Sequence, residues 1–432
     1  MKLYENPPVD LWNKLIKRPL FNCEDLHDTV QKVFTDVEQF GNQAVIKYTN
    51  KFDGVQLNEF EVSKEVIRAS EEKVSPQLKQ AISLAKTNIT KFHRSQLNEN
   101  DDQKVETSIG VKCWLEKHPI EKVGIYIPGG TAPLFSSILM LAIPAKLAGC
   151  KEIIICSPPN KDGVLSDVLL YTSKICKVDR VFKIGGIQAI AAFGIGTESV
   201  PKVHKVFGPG NQYVTAAKQY LQNYQIPIDL PAGPSEVLIL ADDSATPEFV
   251  ASDLLAQAEH GTDSQVILVS TSKELINKVL KEVELQIPSL SRKHIIKKSI
   301  KFGRAIWFED VNQAIDFSNA YAPEHLILVT QNSDEVSLKI KNAGSVFIGN
   351  YSPESVGDYA SGTNHTLPTN GSAVQYSGVT VDSFKKSITF QTLSPMGLVE
   401  IGPYVEKLAL AEGLDAHKNA VSIRLKQLNK TI

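Results

Sequence analysis

Between Lys122 and Leu221 one local pattern occurs four times in about a hundred residues. KVGIYIP runs into a Gly-Gly turn and the helical stretch SSILMLAIPAKLAG. EIIICSP leads to VLSDVLLYTSKIC, RVFKIGG to IQAIAAF, and KVFGPG to NQYVTAAKQYL. Each unit is a short apolar β-rich run, a turn and a helix, and this constrains the fold more than any other feature. Parallel strands cannot be joined by a tight hairpin, so successive strand–helix units call for a parallel sheet with helices on both faces.

The pattern continues in the second half. EVLILAD precedes PEFVASDLLAQAEHG, QVILVS precedes ELINKVLKEVEL, HLILVT precedes DEVSLKIKNAG, and GSVFIG enters a long loop from Tyr351 to Gln375 rich in Gly, Ser, Asn and Thr. No residue-level repeat links the halves, but their shared order predicts an α/β chain with two doubly wound, incomplete Rossmann-like parallel-sheet domains. Val30, Val33, Phe34, Val37 and Phe40 form one apolar helical stripe, and a second helical stretch from Ser63 to Gln96 is open to a break at Pro76. The C-terminal end holds one more β stretch, SITFQTL, and two helical stretches. The expected organisation is a helical N-terminal region over 1–120, a first Rossmann-like domain over 121–233, a second over 234–375 and a C-terminal tail over 376–432.

Composition removes several function classes. Lys and Arg total 46 and Asp and Glu 48, a net charge of −2, which lacks the basic excess a nucleic-acid partner requires. The N-terminal MKLYENPPVDLW lacks the apolar core of a secretory signal. The most apolar stretch, Ala132 to Cys150, is interrupted by Pro144 and Lys146 and reads as a buried helix, not a membrane span. Five cysteines (Cys23, Cys113, Cys150, Cys156 and Cys176) are odd in number and show no C-x-x-C pair. Reduced thiols in a cytoplasmic protein are expected.

Open α/β sheets bind ligands beyond the carboxyl ends of their strands. The loops there carry neither G-x-G-x-x-G nor a P-loop; instead they read IPGGTAPL (Ile127–Leu134), IGGIQAIAAF (Ile184–Phe193), FGPGNQYV (Phe207–Val214) and LPAGPSEV (Leu230–Val237). Any one could be a plain βα turn. Four together suggest a shared cleft in which exposed N–H groups receive an anion.

Polar residues suited to chemistry gather in the second half. Gln257 and His260 lie at i and i+3 near the end of the DLLAQAEHG helix, Glu324 and His325 just before the strand HLILVT, Asp358 and His365 around GDYASGTNH, and Glu412 and His417 in the C-terminal helical segment. Imidazole, carboxylate and amide oxygen suit a divalent metal such as Zn²⁺. Glutamine is a rare ligand, and no H-E-x-x-H pair or cysteine cluster accompanies the set, so capped or surface residues are the alternative reading. Glu324 and His325 suit proton transfer near neutral pH. His27, His93, His118, His204 and His294 read as ordinary helical or strand residues.

Taken together, GIYIPGGTAPLFSS, GPGNQYV-x-x-AK, DLPAGPSEVLI, DLLAQAEHG, APEHL and GSVFIG followed by SPESVGDYASGTNHTLPT resemble the histidinol dehydrogenase family, in order and over essentially the whole chain. The resemblance implies oxidation of L-histidinol to L-histidine by two NAD⁺ through the aldehyde, with one Zn²⁺ per site. It implies Gln257, His260, Asp358 and His417 as zinc ligands and Glu324 and His325 as the acid–base pair. It further implies substrate contacts from Ser235, His325, His365 and Glu412 beside the metal ligands, and NAD contacts from Tyr126, Gln188 and Asn211. One local departure stands out: in GIQAIAAFGIG the family more often has Ala after the glycine pair, whereas Gln188 is retained. The resemblance also implies a homodimer with shared active sites, in which Glu412 and His417 act across the subunit interface. A zinc hydrolase using Glu324 as base, or a non-catalytic zinc- or nucleotide-binding relative, are the rival readings.

Overall fold

A computed structural model describes residues 1–18, 24–97, 103–129, 134–231 and 233–431. Among them are thirteen strands: β1 (Lys2–Glu5), β2 (Val105–Ser108), β3 (Val111–Pro119), β4 (Lys122–Tyr126), β5 (Glu152–Cys156), β6 (Arg180–Phe182), β7 (Lys205–Phe207), β8 (Glu236–Ala241), β9 (Gln265–Ser270), β10 (Arg304–Trp307), β11 (His325–Val329), β12 (Ser345–Ile348) and β13 (Lys385–Leu393). The chain divides into two compact units, residues 1–94 with 120–383, and residues 95–119 with 384–432.

The first unit contains both expected parallel sheets. One has four strands in the order β6-β5-β4-β7, the other six in the order β1-β10-β9-β8-β11-β12. All four early strand–helix units form, with helices Ser136–Ala148, Asp167–Ile175, Gly186–Ile195 and Gln212–Tyr220 after β4 to β7. Along β8 alternate residues enter different cores: Val237, Ile239 and Ala241 pack on one side, Leu238 and Leu240 on the other. Both faces are covered, which is why the strand is continuously apolar. The helix Ser136–Ala148 is buried almost throughout, as its all-round apolar sequence requires, and no helix among the described residues is long and apolar enough to cross a membrane.

Several details differ from the expectation. β1 and β10 were not legible; β1 pairs along the six-stranded sheet's edge in register Lys2 with Arg304. Val30, Val33, Phe34 and Val37 are buried, whereas Phe40, at the end of the same helix, is 48% exposed. Pro76 does divide its segment, with helices Lys64–Lys73 and Pro76–Arg94 on either side. The loop after β12 contains a short helix, Glu354–Tyr359.

In the second unit β3 pairs antiparallel with β2 and with the late strand β13. Trp114 stacks on Phe390 across the β3–β13 pair, with ring centroids 5.4 Å apart. Helices Pro395–Ala411 and Asp415–Thr431 pack together where Gly402 meets Val421 and Leu425, and the turn between them uses Gly413 at φ +72°.

Candidate active site

The polar cluster assembles at the amino-terminal edge of the six-stranded sheet. His325 is the first residue of β11 and pairs in register with Val237 of β8. Ala322, at φ +51°, caps the preceding helix Val311–Tyr321 and turns the chain through Pro323 into Glu324. A non-glycine residue in this region costs roughly 1–3 kcal/mol and persists where surrounding structure enforces it.

Glu324 and His325 are almost completely buried and share one anchor. The Glu236 N–H donates to Glu324 Oε2 at 2.9 Å, and the Glu236 carbonyl lies 3.2 Å from His325 Nδ1. Only a protonated Nδ1 satisfies that carbonyl, so Nε2 is the nitrogen left to exchange protons. Glu236 is itself locked: Arg18 meets its carboxylate with Nε at 2.8 Å and a second guanidinium nitrogen at 2.9 Å. Arg18 also lies over the Tyr321 ring at 3.7 Å, and the Tyr321 hydroxyl donates to Glu236 Oε2 at 3.1 Å.

Around His325 stand three carboxylates. Glu324 Oε2 and Glu354 Oε1 each lie 3.7 Å from Nδ1, and Asp358 Oδ1 lies 3.6 Å from Nε2. Burial disfavours the imidazolium, but the nearby Glu354, Glu324 and Asp358 charges outweigh it and raise the His325 pKa. Burial pushes Glu324 and Glu354 up to about 8. Asp358 is held below the ordinary carboxylate range, burial being overcome by the His325 imidazole 3.6 Å away and by the other histidine charges around it.

Ligating atoms of His260, Glu354 and Asp358 all lie within 4.8 Å of one another. Among the described residues, fully buried Gln257 has neither amide atom hydrogen-bonded, and Glu354 Oε2 is likewise buried without a partner. Buried polar atoms are seldom left unsatisfied in native proteins. Nitrogen and oxygen donors converging beside orphaned amide and carboxylate atoms fit a divalent cation. His260 falls just past the end of the helix Pro247–Ala258, in the turn that follows it.

His365 joins this cluster to the other sheet. Its Nδ1 donates to the Asp358 carbonyl at 2.9 Å, and its Nε2 is 3.0 Å from Ser137 Oγ, at the start of the helix that follows β4. Asn364 Nδ2 donates to the Met140 carbonyl at 2.6 Å and lies 3.3 Å from His93 Nε2. His93, which reads as an ordinary helical residue, is therefore a buried part of this junction.

A second group occupies the carboxyl end of the four-stranded sheet. The Gly186 N–H donates to the Tyr126 hydroxyl at 3.1 Å, and Gln188 is fully buried two residues on. Asn211 caps the helix Gln212–Tyr220, its Oδ1 accepting from Tyr213 and Val214 N–H at 3.0 and 3.1 Å. The loop before it is clamped: buried Lys218 reaches the Gly208 carbonyl at 2.8 Å and Asp229 at 2.5 Å, while Gly208 N–H donates to Asp229 Oδ2 at 2.7 Å. At φ +120°, Gly208 passes so close that a Cβ would sit 2.1 Å from the Tyr126 carbonyl oxygen.

Comparison with known proteins places the whole chain. A model of the histidinol dehydrogenase family matches residues 16–425. The chain belongs to the histidinol dehydrogenase family. It is 53% identical to histidinol dehydrogenase of Bacteroides fragilis over 430 residues, covering 100% of both chains. It is 49% identical to that of Haemophilus influenzae over 417 residues, covering 96% of each. The crystal structure of histidinol dehydrogenase from Elizabethkingia anophelis superposes with a TM-score of 0.96 at 53% identity, covering 99% of each chain. These dehydrogenases are oxidoreductases.

Of the residues that the family resemblance singles out, the structure brings together His260, Glu324, His325, Asp358 and His365, with Gln257 three residues before His260. Ser235 is half-buried immediately before Glu236. Glu412 and His417 belong to the second unit, where both are exposed. Glu354 was missed. Its signal was the four-residue spacing to Asp358, which places both on one face of a helix, inside a segment that reads as loop. The Gly130–Pro133 part of one glycine-rich loop, Ala232 of another, and Cys23 lie outside the described residues.

Proposed function

We propose that this chain catalyses the four-electron oxidation of L-histidinol to L-histidine through histidinal, the closing steps of histidine biosynthesis, using two NAD⁺ and one Zn²⁺ per site. The observation that carries this reading is the convergence of His260, Glu354 and Asp358, beside the unpartnered Gln257 amide, on the buried Glu324–His325 pair. Gln257, His260 and Asp358 would hold the zinc, with His417 as a fourth ligand. Bound there, Zn²⁺ would orient the substrate's imidazole and amino groups, and NAD⁺ held near Tyr126, Gln188 and Asn211 would take up hydride.

The protein's own groups then carry the protons. His325, its Nδ1–H held by the Glu236 carbonyl, would accept the substrate hydroxyl proton at Nε2. Glu324, held by the Glu236 N–H, activates the water that adds to the aldehyde before the second oxidation. Ser235, His365 and Glu412 complete the substrate pocket. Residues 121–233 serve the dinucleotide and 234–375 the metal and proton transfer.

The same proposal makes the enzyme a homodimer in which the tail over 376–432 supplies Glu412 and His417 to the partner. Met396, Tyr404 and Leu408 on helix Pro395–Ala411 are each about two-thirds exposed, an apolar surface that suits burial against a second copy. Buried Cys156 and Cys176, neither of them in a disulfide, accord with a cytoplasmic location. The test is direct: zinc-loaded protein given L-histidinol and NAD⁺ must form NADH, and a silent trace rejects the reading.

A further inference from the structure

Asp53 ends the helix Asn42–Asp53, more than seventy residues before the dinucleotide loops, yet it reaches them. Its Oδ2 accepts from Gln188 Nε2 at 3.1 Å, and its charge falls on Tyr126. Gln188 Oε1, at the other end of the amide, is buried and bonded to nothing among the described residues. It sits 3.0 Å from where a Cβ of residue 186 would stand, so glycine there, at φ +59°, leaves the space.

A carboxylate accepts hydrogen bonds and cannot donate, so it decides which end of a neighbouring amide turns toward it. Burial raises Asp53 to about 6, which leaves it ionised at neutral pH. Without that constraint the Gln188 amide could turn over and present a donor where an acceptor stands. We propose that Asp53 is a positioning residue that fixes the Gln188 amide with Nε2 inward, so that Oε1 accepts a hydrogen bond from a hydroxyl or amide N–H of the dinucleotide. This rests on the assignment of Gln188 to the NAD site.

NADH fluorescence titration of the full-length zinc-loaded protein tests it, with wild type, Asp53→Asn, Gln188→Ala and the double variant. Asp53→Asn keeps the size and can still accept from Gln188, but it no longer dictates the amide's direction. Binding is expected to weaken about tenfold in Asp53→Asn, since the bond that holds the amide to a charged group becomes a weaker neutral one. The double variant is expected to bind no more weakly than Gln188→Ala, because Asp53 acts through Gln188. In turnover, KM for NAD⁺ rises while KM for histidinol and bound zinc stay unchanged. Wild-type binding in Asp53→Asn, or additive losses in the double variant, overturns the inference. If Gln188→Ala binds like wild type, or wild type binds no NADH, the NAD-site assignment fails and the inference falls with it. Asp53→Ser gives the same readout should Asp53→Asn not fold.

Discussion

The main chain of Glu236 holds both members of the proposed acid–base pair: its N–H binds Glu324 Oε2 at 2.9 Å, and its carbonyl lies 3.2 Å from His325 Nδ1. One residue of β8 thereby fixes the carboxylate's position and the imidazole's tautomer. Replacing Glu324 by Gln, or His325 by Gln, is expected to preserve the fold and to lower kcat by about 10²–10⁴-fold, the range for a positioned proton-transfer group. Steady-state NADH formation and thermal melting, measured together, separate this outcome from misfolding. Retention of more than a tenth of wild-type kcat by either variant contradicts the assignment.

The Arg18–Glu236 pair that supports this anchor is 9% and 0% exposed at its side chains. Arg18→Ala leaves a buried carboxylate whose remaining side-chain donor among the described residues is the Tyr321 hydroxyl, and is expected to cost about 3–5 kcal/mol in urea denaturation. A loss below about 1 kcal/mol means that water or Tyr321 replaces the guanidinium.

Asp358→Asn removes one charge from the proposed metal cluster. Dialysed protein is expected to fall from one zinc per subunit to a small fraction, with far-UV circular dichroism unchanged. Full zinc retention by this variant, measured by elemental analysis, would place the metal elsewhere.

Asp53 links pH to stability with a definite sign. Its folded-state pKa of about 6 lies above its ordinary value of 3.8, so the folded chain holds a proton there that the unfolded chain has released. Stability from this group is full below about pH 4 and declines as pH rises to about 6. Asp53→Asn should therefore melt like wild type at acid pH and above it at neutral pH, while still binding NADH less well. A lower melting temperature at neutral pH means that the carboxylate stabilises the fold as an ion.

No cysteine enters the proposed chemistry. Burial raises Cys150 and Cys176 to about 12 and Cys156 well above its ordinary value, so thiolates are scarce at neutral pH. Replacing all five cysteines by Ala is expected to leave turnover within about tenfold. Selective loss of the aldehyde oxidation would indicate a thiol nucleophile.

The parallel sheets were legible because buried strands and crossover helices each leave a local apolar pattern, as in EIIIC and SSILMLAIPAKLA. β1 was not: a four-residue edge strand carrying Lys2 and Glu5 has no such pattern. The antiparallel β3–β13 pair joins residues about 270 apart, a distance that no local signal spans. The loops at the carboxyl ends of the first sheet's strands do carry Gln188 and Asn211, beside Tyr126 at the end of β4. Glu324 and His325 stand where their position just before HLILVT implies, at the opposite, amino-terminal edge of the second sheet, near the end of the helix that carries Gln257. Glu354 and Asp53 escaped notice for one reason: each gains its meaning from a partner supplied by tertiary packing, His325 in one case and Gln188 in the other.

The central claim is a zinc-dependent double oxidation, and counting NADH against histidinol tests it most directly. With limiting L-histidinol, excess NAD⁺ and zinc-loaded protein, the absorbance endpoint should give two NADH per histidinol with histidine as the product; treatment with a chelator should abolish turnover and added zinc restore it. One NADH per histidinol, or turnover indifferent to the chelator, would contradict the account.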